Sequence, residues 1–166
     1  FFFFFLQKKT VYLLLCLMLL LTGCGPSKVA PDKKMVLSQE STMDGQVFTS
    51  KVVIKYDSDT KKVVSGKFSV KYENMAKTET NGNILTELNN RYTIIEQLEG
   101  VKASGDATET SFGFEEEWDY NIVNIQEALK ADEQQKNFVE NGEYSLDKIK
   151  EYYEKQGYTC EEKDLK

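Results

Sequence analysis

The chain has 166 residues, a formal charge of −6, three cysteines and no histidine. The missing imidazole removes the commonest general base, the commonest zinc or copper ligand, and every serine or cysteine mechanism that depends on one. The negative balance opposes docking on nucleic acid or anionic lipid by charge alone.

Five phenylalanines open the chain with no methionine, which reads as a truncated or misassigned start. Lys8 and Lys9 then precede an apolar run over 11–21 that is closed by small residues, the three-part layout of a secretory signal peptide. The run is about half of the roughly 20 apolar residues that a membrane span needs, which disfavours an uncleaved anchor. Its ending, Leu21-Thr22-Gly23-Cys24, resembles the lipobox of bacterial lipoproteins. That resemblance implies signal peptidase recognition through Leu21, Thr22 and Gly23 and cleavage before Cys24. It also implies a diacylglyceryl group on the Cys24 thiol, often followed by acylation of the new amino terminus. The expected division is a signal peptide over 1–23, the lipidated cysteine and a flexible linker over 24–34, and one domain over 35–166. Loss of Lys8 and Lys9 takes the charge to −8, so lipid must do the anchoring, and two acyl chains are about the minimum for stable attachment. The expected location is the outer face of the bacterial cell membrane. Cys16 leaves with the leader and Cys24 carries lipid, so Cys160 alone remains and no intramolecular disulfide can form.

The stretch 25–34 holds both prolines and little that could pack, as a tether would. Strands are expected over 35–43 and 46–56 around Asp44-Gly45, a pair that favours a type I′ hairpin turn. Phe48, Val52, Ile54 and Tyr56 share one face of the second strand, and Thr49, Lys51 and Lys55 the other. A third strand over 61–72 puts Val64, Phe68, Val70 and Tyr72 inward. Such alternation marks an antiparallel sheet with one buried and one wet face. The period then changes: Ile84, Leu85, Leu88, Tyr92, Ile95 and Leu98 fall on one helical stripe over 83–99, with Gly100 as the stop. The stripe is expected to cover the Phe48, Val52, Ile54, Phe68 and Val70 face. Residues 101–106 and 108–120 read as a second antiparallel pair, in which Phe112, Phe114, Trp118 and Tyr120 alternate on one side with Glu116 interrupting them. Asn124 and Glu127 begin a short helix, 130–142 reads as a polar surface excursion, and Ser145 caps a last helix with Leu146, Ile149 and Tyr153 on one face. A short strand is expected over 158–161.

The order of these elements is similar to the YehR-like family of small bacterial lipoproteins, a family defined as a domain of unknown function. Four stretches carry the resemblance: residues 21–24, the strand over 63–72, the helix ending Glu99-Gly100-Val101, and the run from Ser145-Leu146 to Gly157-Tyr158. These are packing and capping residues. The family implies an α+β fold with an antiparallel sheet covered by helices on one face, and it implies no reaction; the elements in this sequence lead to an expected sheet of about five strands with one face covered by the long helix and the C-terminal helix.

Glu115, Glu116, Glu117 and Asp119 form the densest acidic run and could gather a hard cation. Strand alternation lets only Glu115, Glu117 and Asp119 converge, and a solvated outer face is the plainer account. Asp57 and Asp59 have the first two acidic positions of a calcium loop, but the glycine and closing glutamate are missing, so a hairpin turn explains them. No Gly-x-Ser-x-Gly or Ser-x-x-Lys motif occurs. Cys160, near the terminus without an activating histidine, is expected to be a structural thiol. No catalytic, cofactor-binding or metal-binding residue is therefore expected. The chain is expected to be a noncatalytic envelope protein that binds a small ligand or an envelope partner through the wet sheet face or an edge. The alternative is a carboxylate-based hydrolase of cell-wall glycan, which needs two acidic groups roughly 5 to 9.5 Å apart in a cleft.

Overall fold

The computed structural model describes residues 29–165. Leu21, Thr22, Gly23 and Cys24 lie outside them.

Strands β1 (Lys33–Met43) and β2 (Gln46–Tyr56) form an antiparallel hairpin in which Asp44 and Gly45 take φ of 51° and 81°. Two successive positive φ values are what a type I′ turn requires, and they match the right-handed twist of the strands. Strand β3 (Val63–Glu73) continues the meander, with an irregularity at Lys55/Tyr56 beyond which Val63 and Val64 are both buried. Helix α1 (Glu79–Ile95) leads to β4 (Val101–Ala107) and β5 (Phe112–Asp119). After them come α2 (Ile125–Ala131), a 3₁₀ turn (Glu133–Asn137), the small hairpin β6 (Val139–Glu140) and β7 (Glu143–Tyr144), α3 (Leu146–Lys155) and β8 (Thr159–Asp164). The main sheet runs β4-β5-β3-β2-β1-β8 and is antiparallel throughout. Six strands stand where about five were expected; the sixth is the short strand anticipated after Tyr158, longer than expected and paired to β1.

All the helices pack on one face. Met35, Leu37, Val52, Ile54, Phe112, Phe114 and Trp118 point into the core and are almost fully buried. Ile149 and Tyr153 of α3 meet that face, capped at the start of the helix by Ser145, whose Oγ accepts from the Lys148 amide at 3.3 Å. The opposite face carries Lys51, Lys55, Lys67, Lys71, Glu115 and Glu117 and stays in solvent.

Three expectations are corrected. Helix α1 starts four residues early because Thr78 supplies an N-cap, its Oγ1 accepting from the Asn81 amide at 3.2 Å. It also ends at Ile95, and Gly100 takes its positive φ of 84° at the end of the turn that follows rather than at the helix terminus. Only Ile95 of its stripe is fully buried, while Leu85, Leu88 and Tyr92 are half-buried. α1 lies nearest β4 and α2, and the centre of the sheet is covered instead by Phe138 and Tyr153, both ring-stacked near Phe68. The stretch 130–142 is therefore no surface excursion: Gln135 and Phe138 are 2% and 1% exposed. A single 3₁₀ turn and a two-residue hairpin leave no periodic signature, so residue spacing could not reveal them.

Candidate functional site

The layer over the sheet has a seam where α1 and the α3 side fail to close. A cleft of about 220 Å³ opens there, with Val52, Phe68, Val70 and Phe114 as floor, Leu88 and Arg91 on one wall, and Phe138, Tyr153 and Tyr158 on the other. Apolar walls with a few fixed polar groups are the usual composition of a ligand pocket.

The polar groups begin with Glu116. Strand alternation turns it inward between Phe114 and Trp118, opposite Phe68 on β3 and Ala103 on β4, where it is 4% exposed. An ionised carboxylate in such a place must be paired. Arg91 provides the pairing: its Nε donates to Glu116 Oε1 at 2.5 Å and its Nη2 to Oε2 at 2.9 Å, the bidentate fork that a lysine cannot make. Trp118 Nε1 donates to the same Oε2 at 2.9 Å. The remaining arm of Arg91, Nη1, reaches Asp132 Oδ2 at 2.7 Å. Asp132 in turn accepts from Gln135 Nε2 at 2.8 Å and from the Gln134 amide at 3.0 Å, which fixes the 3₁₀ turn against the helix. Burial pushes the Asp132 carboxyl up, but the guanidinium charge and these hydrogen bonds outweigh it and hold the group below its ordinary value. For Arg91, burial alone would favour deprotonation, and the two carboxylates reverse that and keep it charged.

Other polar atoms border the cleft. Tyr158 donates from its hydroxyl to Ser50 Oγ at 2.7 Å, joining the loop after α3 to the sheet floor. Gln135 contributes to the wall, and its Oε1 is buried with no hydrogen-bond partner among the described residues.

The residues singled out from sequence fall elsewhere. Glu115 and Glu117 are on the solvent face as alternation requires, and Lys67 stands between them at 2.9 and 3.4 Å, so an ammonium occupies the position a cation would take. Asp119 ends β5 and holds the turn that follows, accepting from the Asn121 amide at 3.0 Å. Asp57 closes its hairpin loop by accepting from the amide and hydroxyl of Thr60 at 2.8 and 2.6 Å. Cys160 is a half-buried free thiol whose pKa burial raises, the environment of a structural cysteine. The open sheet face has a broader hollow of about 580 Å³ near Thr49, Lys71 and Glu115, shallow and exposed to solvent.

Arg91 was missed, although a signal existed: it is the chain's one arginine among many lysines, and Trp118 is its one tryptophan. Both converge on Glu116, whose inward position interrupts an aromatic alternation.

Comparison with known proteins gives a family without an assigned activity. A family described as "Domain of unknown function (DUF8824)" matches residues 25–166. No curated protein matches the chain. Among solved structures, the NMR structure of a protein from Streptococcus pneumoniae TIGR4 superposes with a TM-score of 0.50 at 16% identity, covering 83% of this chain and 89% of that one. The NMR structure of Escherichia coli YehR gives a TM-score of 0.49 at 16% identity, covering 78% of this chain and 91% of that one. At this identity the first of these likenesses speaks for the fold.

Proposed function

Because the chain belongs to the DUF8824 family, whose description assigns no activity, we propose its function from its own residues: a lipid-anchored bacterial envelope protein whose domain is a noncatalytic binding module. The sequence Leu21-Thr22-Gly23-Cys24 supports the anchor, with lipid on Cys24 and the domain outside the cell membrane. Eight residues separate Cys24 from the start of β1 at Lys33, nine Cα-to-Cα steps with a reach of at most about 32 Å, so the domain works close to the lipid surface.

The cleft carries the binding reading. Its floor is apolar, its polar groups are held rigidly, and its size suits a small molecule or a single side chain of a partner. We favour this cleft over the open sheet face, where Lys67 pairs with Glu115 and Glu117 and Lys71 with Glu73. A glycan hydrolase remains the alternative because two carboxylates, Glu116 and Asp132, meet at Arg91, with Glu116 and Arg91 lining the cleft. Against it, a general acid needs a carboxyl group with a raised pKa, whereas Asp132 is held down and Glu116 engages both its oxygens with Arg91 and Trp118.

Trp118 is the natural reporter, since its indole touches Glu116 at the base of the site. Titration with sugars, amino acids and short peptides should find a compound that changes its emission saturably, and Leu88→Phe at the wall should weaken that response. A folded protein that is silent to the whole panel, or a response indifferent to Leu88→Phe, would move the binding surface out of the cleft. Turnover of a glycan lost in Glu116→Gln would put the hydrolase first.

A further inference from the structure

The main sheet has two free edges that differ in kind. Strand β8 carries Glu161, Glu162, Lys163 and Asp164 in succession, and the chain itself satisfies them: Lys163 pairs with Glu161 at 2.6 Å, Lys150 with Glu162 at 3.6 Å and Lys33 with Asp164 at 3.9 Å. Four successive charges on an edge strand oppose the addition of another strand. Strand β4, Val-Lys-Ala-Ser-Gly-Asp-Ala, is built mostly of small residues, is exposed from Ser104 onward, and ends the sheet with no neighbour beyond it among the described residues. Its two charges, Lys102 and Asp106, both point to the solvent face, opposite Glu117 and Gly113 of β5. Neither has an ion-pair partner among the described residues.

Those two charges are complementary to themselves. In an antiparallel pairing of β4 with a second β4 about a twofold axis at Ser104, Lys102 of each copy stands directly opposite Asp106 of the other. Directly opposed residues in such a pair share a face, and opposite charges there are stabilising. The twofold supplies the contact twice, and the opposite face meets through Val101 against Ala107 and Ala103 against Gly105, which are small enough to let the backbones approach. Shifting the axis to Ala103 or Gly105 puts a serine or an unrelated residue opposite each charge and loses both pairs, so a single register is specified. We propose that β4 is a self-association edge, and that two copies of this chain join there into one continuous sheet. The self-complementary charges favour a second copy over a foreign extended segment.

The test uses the full-length chain in bacterial membranes with Cys160→Ala as background. Ser104→Cys sits on the axis and should give a disulfide-linked dimer under mild oxidation, whereas the background alone and Thr159→Cys on β8 should stay monomeric. Lys102→Asp or Asp106→Lys, each placing like charges opposite one another, should reduce crosslinking severalfold, and the two together should restore it. Any of four results overturns the proposal: no dimer from Ser104→Cys, equal dimer from Thr159→Cys, crosslinks to other proteins only, or a double exchange that fails to restore the dimer.

Discussion

At the scale of single residues, the molecule depends most on Arg91. Among the described residues it is the only counter-charge for Glu116, and removing one partner of a buried pair costs about 3–5 kcal/mol because the other charge stays behind. Arg91→Met should therefore be among the most damaging single changes, with Arg91→Lys intermediate, as judged by urea unfolding. The pH response separates this cause from lost packing. A carboxyl held low in the folded state contributes fully above its unfolded value and loses that contribution as pH falls through the folded value. For Asp132 that window lies below the ordinary 3.8. In Arg91→Met the burial of Asp132 is unopposed and the sign reverses: its carboxyl is driven toward the neutral form, and stability should rise as pH falls from neutrality. Parallel pH curves for the two proteins would refute the pairing. Glu116's inward position could be read from the strand pattern. Its partner could not, because Arg91 lies 25 residues earlier on a helix and meets it only through the fold.

At the scale of elements, the strands were far more legible than the layer above them. Period-two alternation set the inner face of β2, β3 and β5 correctly, since a one-residue slip would have exposed every apolar side chain at once. The helical stripe of α1 was real, but stripe width says nothing about which part of a sheet a helix will cover, and α1 covers the β4 side. Ile95→Ala should thus cost about 2–5 kcal/mol as a fully buried truncation, while Leu88→Ala on the half-open cleft wall should cost less than about 2 kcal/mol. Equal losses would place α1 flat on the sheet. The acidic face of β5 behaves differently again. Glu115→Gln, Glu117→Gln and Asp119→Asn together should change stability by no more than about 1 kcal/mol, because the Lys67 pairs are exposed and the Asp119 substitution keeps the turn acceptor. A larger loss in thermal or urea unfolding would mean that the face is structural.

For the whole molecule, the fold was legible in the sequence and the cleft was not. The α+β arrangement followed from the change of hydrophobic period along the chain. The cleft did not, because it forms where two covering elements stop short of each other, a property of their packing rather than of any one segment. The proposed lipid anchor, in contrast, rests on four consecutive residues and a short apolar run, and it organises the proposed function: a small domain held near a membrane, with an open cleft and no histidine in its sequence. Metabolic labelling with a clickable fatty acid tests that account most directly, comparing the native chain with Cys24→Ala in a bacterial host. The native protein should take up label and run at the mature size, and Cys24→Ala should stay unlabelled at the precursor size. Equal labelling and processing of the two would contradict the account.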